Sequence, residues 1–246
     1  MRIMPGILLS YLFVSLSAYS SQDIATNYNY FQLKLNSSRI IYHPDSKGVS
    51  ITVSNQQGYP MLVRPTILSG DKKNILKSYI ATPTLFKIDE KQNSKIRLTQ
   101  IDKSENKPNQ ETLNWLCVLG VPPSDDSDEW NETHKKNSPI IDFKINVKTC
   151  IKIFNRPNVL RGTSEEAASS LVWSKKDGKL IVDNPTGYYI NFNSISIDGH
   201  NIKKSGYIEP FSKKEFNLPK DITVNKILWS VITDIGGISS SKVTNL

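Results

Sequence analysis

Apolar and polar residues alternate in short runs along most of this 246-residue chain. The longest run, Ile141–Phe154, puts Ile141, Phe143, Ile145, Val147, Thr149, Ile151 and Ile153 on one face and Lys144, Asn146, Lys148 and Lys152 on the other. A period of two belongs to a half-buried β-strand, whose successive side chains point to opposite faces. Shorter runs of this kind are Phe31–Leu35, Ile40–Tyr42, Val49–Ser54, Met61–Leu68, Leu85–Ile88, Lys95–Thr99 and Asn114–Val121. A second group comprises Leu171–Ser174, Lys179–Val182, Tyr188–Ile197, Lys214–Leu218 and Ile227–Thr233. Turn residues punctuate them at Pro44-Asp45, Gly58-Tyr59-Pro60, Asp177-Gly178, Asn184-Pro185, Asp198-Gly199 and Gly236-Gly237. Only Ser164–Ser170 has room for a turn or two of helix. Two groups of short strands predict an all-β chain of two sandwiches.

The boundary falls after the long strand, where Arg156-Pro157 begins an irregular stretch to Gly162. Proline has no N–H for a ladder, so Pro157 ends the strand. The expected domains are therefore residues 21–155 and 156–246. A second irregular stretch, Pro122–Pro139, is acidic in its first half and basic in its second, as befits a long solvated loop containing Trp130. The strands on either side of it, Asn114–Val121 and Ile141–Phe154, read as consecutive antiparallel neighbours.

The chain begins with one cation, Arg2, an apolar run from Ile3 to Val14, and small residues through Ser21. That order matches a cleavable secretory signal over residues 1–20, and the run is short for a membrane span of about 20 residues. Export changes the reading of the two cysteines, Cys117 and Cys150. In an oxidising compartment an isolated pair favours a disulfide over a metal site, with two free buried thiols as the alternative. The three histidines are scattered without ligand spacing, so no metal and no cofactor is expected. A formal net charge of +8 is spread along the chain, which favours solubility and an anionic protein partner over nucleic acid. Neither a nucleophile elbow nor a glycine-rich phosphate loop is present, which argues against an enzyme.

Five segments, in order, resemble the PapD-like periplasmic pilus chaperones of the usher pathway. They are SRIIY (Ser38–Tyr42), ATPTLFKIDEKQNSKIRL (Ala81–Leu98), IKIFNRP (Ile151–Pro157), DNPTGYYINF (Asp183–Phe192) and TDIGG (Thr233–Gly237). In the fourth, Gly187 replaces the second proline of the family pattern. The resemblance implies two immunoglobulin-like sandwiches set at an angle around a cleft. It also implies a function: binding, folding and capping fimbrial subunits by donating a strand, then delivering them to an outer-membrane usher, without insertion into the membrane. An unladen copy could hide its exposed strand by self-association.

The same resemblance assigns roles to residues. Arg39 and Lys152 match the pair that anchors the subunit's C-terminal carboxylate. Ile141, Phe143, Ile145 and Val147 take the donor-strand positions. Arg156, with Glu111 and Asp234, matches an interdomain salt bridge. The long loop and the two cysteines resemble the long-loop subgroup, which carries a disulfide between the flanking strands. In that subgroup an N-terminal strand, here Phe31, Leu33 and Leu35, adds contacts. The rival reading is a secreted immunoglobulin-like adhesin or fibre subunit. Such a subunit would be a single sandwich lacking a strand, whereas this chain has strands for two complete ones.

Overall fold

The computed structural model describes residues 25–123, 140–203, 205–218 and 225–246, with 25–31 and 140–145 described by their backbone. The expected signal segment, residues 1–20, and Trp130 lie outside the described residues. The first half of the chain contains β1 (Ala25–Phe31), β2 (Lys34–Leu35), β3 (Arg39–Tyr42), β4 (Val49–Ser54), β5 (Met61–Ser69) and β6 (Tyr79–Thr82). It continues with β7 (Phe86–Ile88), β8 (Asn93–Gln100), β9 (Thr112–Val121), β10 (Ile140–Asn146) and β11 (Lys148–Asn155). A four-stranded sheet, β2-β4-β8-β6, packs on a five-stranded one, β3-β11-β9-β5-β7. Between them lie Leu33, Tyr42, Val53, Met61, Ile96, Leu98, Leu116 and Ile153, all but sealed from solvent. Each such side chain contributes about 1.5–3 kcal/mol through burial.

The second half opens with a capped turn, α1 (Ser164–Ala167), where Thr163 and Glu166 form a reciprocal capping box. There follow β12 (Val172–Lys176), β13 (Lys179–Asn184), β14 (Ile190–Ile197), β15 (His200–Asn201) and β16 (Tyr207–Ile208). The last strands are β17 (Ser212–Asn217), β18 (Lys226–Val231) and β19 (Lys242–Asn245). Sheet β12-β13-β17 faces sheet β15-β14-β18-β19, to which β16 adds through β14. Their shared core is aromatic, with Trp173 5.7 Å from Trp229 and 5.8 Å from Phe192 between ring centres. The all-β, two-sandwich expectation is met.

Two sequence expectations need correction. The run Ile141–Phe154 is not one strand. It breaks at Val147, where β10 leaves the main sheet and pairs in parallel with β1, while β11 pairs antiparallel with β9 and parallel with β3. At the break Lys148 pairs with Leu119, two residues short of the end of β9, and beyond it the chain takes β1 as its new partner. Phe31–Leu35 likewise splits. β1 ends at Phe31, and β2 crosses to pair with β4 in the opposite sheet. Between them Leu33 drops into the core at 0% exposure, so it has no surface to offer a partner in this conformation.

The halves meet through main chain as much as through side chains. The Glu111 N–H donates to Gly187 O at 2.8 Å, and a Cβ at Gly187 would clash with the Asn109 carbonyl and the Leu160 side chain. On the other flank Gly236, at φ +86°, lies so close to Ser38 that any side chain there would collide with its hydroxyl.

The position of Leu33 gives a direct check. Leu33→Ala is expected to destabilise the protein by about 2–5 kcal/mol, the range for a large-to-small change in a closed core, read from the urea midpoint. An unchanged midpoint would mean that Leu33 is not core.

Candidate functional site

β3 and β11 run side by side and in parallel, with Arg39 directly opposite Lys152. Lys152 is also the partner of Trp115 on β9, and Trp115 the partner of Leu68 on β5. Directly paired residues share a face, so Arg39, Lys152, Trp115 and Leu68 form a row across the sheet. That row faces the second domain. Arg39 Nη1 donates to Ile232 O at 3.2 Å, and Lys152 Nζ donates to Asn191 Oδ1 on β14.

Neither cation is neutralised. Among the described residues, no carboxylate lies within ion-pair distance of Arg39 or Lys152. Arg39 is 7% exposed, and among the described residues its Nε is buried with no hydrogen-bond partner. Such an unpaired donor carries a desolvation cost that an arriving acceptor removes. Burial lowers the Arg39 pKa from its ordinary value, with Asp234 and Glu111 pulling the other way. Lys152 is pushed down to about 8, first by burial and then by the positive charges of Arg39, Lys72 and Lys214. The cleft can therefore hold an anion by two convergent, charge-assisted donors.

Arg156, at the end of β11, is the opposite case. Its Nε donates to Glu111 Oε1 at 2.6 Å, and its Nη1 and Nη2 grip both oxygens of Asp234 at 2.6 and 2.9 Å. The second Glu111 oxygen accepts from the Tyr189 N–H at 2.7 Å, and Ser164 Oγ donates to Asp234 at 2.6 Å. The two carboxyls respond differently. Burial dominates at Glu111, which is 1% exposed, and raises its pKa despite Arg156. At Asp234 burial is outweighed by hydrogen bonds from Arg156 and Ser164, and the pKa falls. Arg156 is itself held above its ordinary value: burial opposes the charge, but the two carboxylates overcome it. One guanidinium thus spans residues on both sides of the boundary.

Cys117 and Cys150 are direct cross-strand partners on β9 and β11 and are joined by a disulfide. The backbone of Ile141, Phe143 and Ile145 runs in β10, and their side chains lie outside the described set. Val147, half-buried, sits at the break between β10 and β11. Leu35 is half-buried against the first core. No cluster of three potential metal ligands occurs among the described residues, and no helix there is long and apolar enough to cross a membrane. Sequence reasoning missed Trp115, Asn191 and Tyr207, which wall the cleft. The Lys152 ammonium lies 4.7 Å from the Tyr207 ring centre and 5.8 Å from that of Trp115. Half-buried aromatics within strands look like ordinary core, so only the register of β9 against β11 could have flagged Trp115.

Comparison with known proteins bears on the whole chain. Residues 32–161 match the family described as "Pili and flagellar-assembly chaperone, PapD N-terminal domain", and residues 166–243 match "Pili assembly chaperone PapD, C-terminal domain". The chaperone protein MyfB of Yersinia enterocolitica is 36% identical over 254 residues, spanning 98% of this chain and 94% of MyfB. The crystal structure of the E. coli chaperone DraB is 35% identical with a TM-score of 0.77, covering 90% of this chain and all (100%) of DraB. A chain from the Salmonella enterica SafA pilin in complex with the SafB chaperone is 31% identical with a TM-score of 0.79, covering 91% of this chain and 100% of the other. The disulfide between the strands flanking the loop fits the long-loop subgroup. This chain belongs to the PapD family of pilus-assembly chaperones.

Proposed function

We propose that the protein is an exported, periplasmic, non-enzymatic chaperone that captures fimbrial subunits, caps them with a donated strand and passes them to an outer-membrane usher. The observation that carries this reading is the contrast among three cations on neighbouring strands. Arg156 is saturated by two carboxylates, whereas Arg39 and Lys152 face the same cleft with none. A charge pair left unmatched in a half-buried cleft calls for a ligand anion, and the C-terminal carboxylate of a client chain is the fitting one. Related proteins support the partner class, since the SafA pilin is found in complex with the SafB chaperone. Chaperones named for relatives across nearly the full length weigh against the adhesin alternative.

The strand to be donated is β10, with Ile141, Phe143, Ile145 and, just past its end, Val147 filling the client's groove. Support comes from topology: β10 belongs to neither sandwich sheet and pairs, among the described strands, with β1 alone. Its other edge pairs with no described strand, which leaves it for a client strand. Strand addition to an incomplete pilin is an established instance of this binding mode, in which main-chain bonds give affinity and alternate side chains give specificity. A carboxylate fixed by Arg39 and Lys152 would set the client's register, because a slip of one residue exchanges every inward side chain for an outward one. Leu35 and Phe31 remain candidates for additional client contact. Arg156, Glu111 and Asp234 act as a brace for the interdomain angle.

Lys152→Ala or Arg39→Ala is expected to abolish subunit recovery when chaperone and subunit are co-expressed and purified from periplasm, while the chaperone's own melting curve stays cooperative. Subunit recovered at wild-type yield from both variants would overturn the anchor. A pH series tests the same pair. Lys152 loses its proton near pH 8 when the cleft is empty, and a bound carboxylate raises that value. Affinity for a subunit-tail peptide should therefore hold steady to about pH 8 and then fall about tenfold per pH unit until the bound lysine also deprotonates. The stability of the free chaperone should move the other way. Between about 8 and the ordinary 10.5 the unfolded chain binds the extra proton, so folding gains as pH rises. Lys152→Arg should flatten the binding profile, which separates Lys152 from Lys214 as the titrating group. The brace has its own signature. Arg156→Ala strands the buried Glu111 carboxylate and should cost about 3–5 kcal/mol in urea unfolding, whereas the double change Arg156→Met with Glu111→Leu should recover most of that loss.

A further inference from the structure

The cleft carries more positive charge than one terminal carboxylate uses. Lys72, in the turn after β5, places its Nζ 3.7 Å from the centre of the Trp115 ring, the ring that Lys152 approaches at 5.8 Å. On the second domain Lys214 lies 6.0 Å from the Tyr207 ring, which Lys152 approaches at 4.7 Å. Lys72, Trp115, Lys152, Tyr207 and Lys214 thus form one row, in which cations alternate with aromatic faces from the first domain to the second.

The row is held in place. Trp115 Nε1 donates to Gly70 O at 3.0 Å, and Lys214 Nζ donates to the carbonyls of Ser205 and Tyr207 at 2.7 and 2.8 Å. Trp115 is also the direct ladder partner of Lys152, so its position follows from strand register and not from a flexible loop. Among the described residues none of these lysines has a carboxylate partner, and the nearby Glu111 and Asp234 are both engaged by Arg156. Like charges grouped along one wall repel one another, and an arriving anion relieves that repulsion. With Arg39 included, four cations face a ligand whose chain end supplies one negative charge.

We propose that Lys72 and Lys214, with the Trp115 and Tyr207 rings between them, form a second anion site that takes an acidic side chain from the last few residues of the client. The inference rests on the reading of Arg39 and Lys152 as the carboxylate anchor. An acidic side chain suits the geometry because an extended strand repeats its side chains on one face every ~6.5 Å. Lys152 and Lys72 approach the one Trp115 ring at 5.8 and 3.7 Å from its centre, which keeps the two ammonium groups within one or two such steps of each other. Cation–ring contacts keep the ammonium groups along the wall while leaving their remaining donors free for an acceptor. The site would select among fibre subunits by the charge of their tails, while the strand ladder itself is indifferent to sequence.

The test uses the full mature chaperone, purified free of subunit, and fluorescent synthetic peptides based on a β-strand-forming tail. One pair differs by Asp against Asn at the penultimate position, and another by Asp against Asn at the last; each is also made with an amidated C-terminus. Anisotropy titrations at about 50 mM salt are expected to show the Asp peptide of at least one pair binding about five- to tenfold tighter than its Asn counterpart. That ratio should fall to about one in the Lys72→Met, Lys214→Met double variant, which should still prefer the free acid to the amide. Lys72→Met alone, on an exposed turn, should lower the ratio partway and guards against misfolding of the double variant. Equal affinity for Asp and Asn peptides in the wild type, or a preference that survives both substitutions, overturns the second site alone. No preference for acid over amide in the wild type overturns the anchor reading and this inference with it. Inorganic phosphate that displaces Asp and Asn peptides equally marks a site for free anions and overturns the assignment to a client side chain.

Discussion

The buried bridge from Arg156 to Glu111 and Asp234 is the contact on which the cleft depends. Arg156 closes β11, Glu111 immediately precedes β9, and Asp234 stands in the turn after β18, so a single guanidinium ties the base of one sandwich to a corner of the other. The same Glu111 carboxylate accepts a main-chain N–H from Tyr189, which adds a second tie in the same place. With this junction fixed, β14 and β16 come opposite β3 and β11, and Lys152 can meet Asn191 and Tyr207 across the gap. The net contribution of such a bridge to folding can be close to zero, because three desolvated groups must be offset by their mutual attraction. Its significance is geometric, since one buried guanidinium joins residues of both sandwiches beside the cleft that Arg39 and Lys152 line.

That geometry explains a division of labour among cations of one strand end. Lys152 and Arg156 are four residues apart on β11 and its exit. The guanidinium, planar and multiply donating, is matched to two carboxylates and spent on architecture. The ammonium, whose pKa moves readily when buried, faces the open gap and is left electrostatically unsatisfied. Arg39 lies opposite Lys152 because β3 joins the sheet in parallel there, after the chain has crossed over from β2 in the facing sheet.

Much of this was legible in the chain. The period-two runs gave most strands and both sandwiches, and the resemblance of Ile151–Pro157 to a family signature singled out the cleft end of β11. Other features were hidden for physical reasons. The break at Val147 leaves no mark in an alternating run, because alternation records the faces of a strand and not which neighbour it pairs with. Leu33 looks like Phe31 and Leu35 in sequence, yet the crossing of the chain between sheets turns it inward. The strand Tyr79–Thr82 is only four residues long, and Lys242–Asn245 is as short with a single apolar residue, so both owe their state to their neighbours in the ladder. Trp115 acquires meaning only through its register against β11, and Tyr207 only when the two domains are docked, and neither is a property of a local window.

The two bare backbone positions at the junction, Gly187 and Gly236, have a consequence for how such a molecule can change. Each lets main chain from one sandwich press against the other with nothing in between. Strand faces that meet a client can be repainted with new side chains over time, since their shapes answer to whatever they bind. The hinge enjoys less latitude: a Cβ at Gly187 would meet the Asn109 carbonyl, and a side chain at Gly236 would strain the backbone at φ +86° and displace the Ser38 hydroxyl. Variation in clientele should thus accumulate on the arms, while the elbow stays stripped.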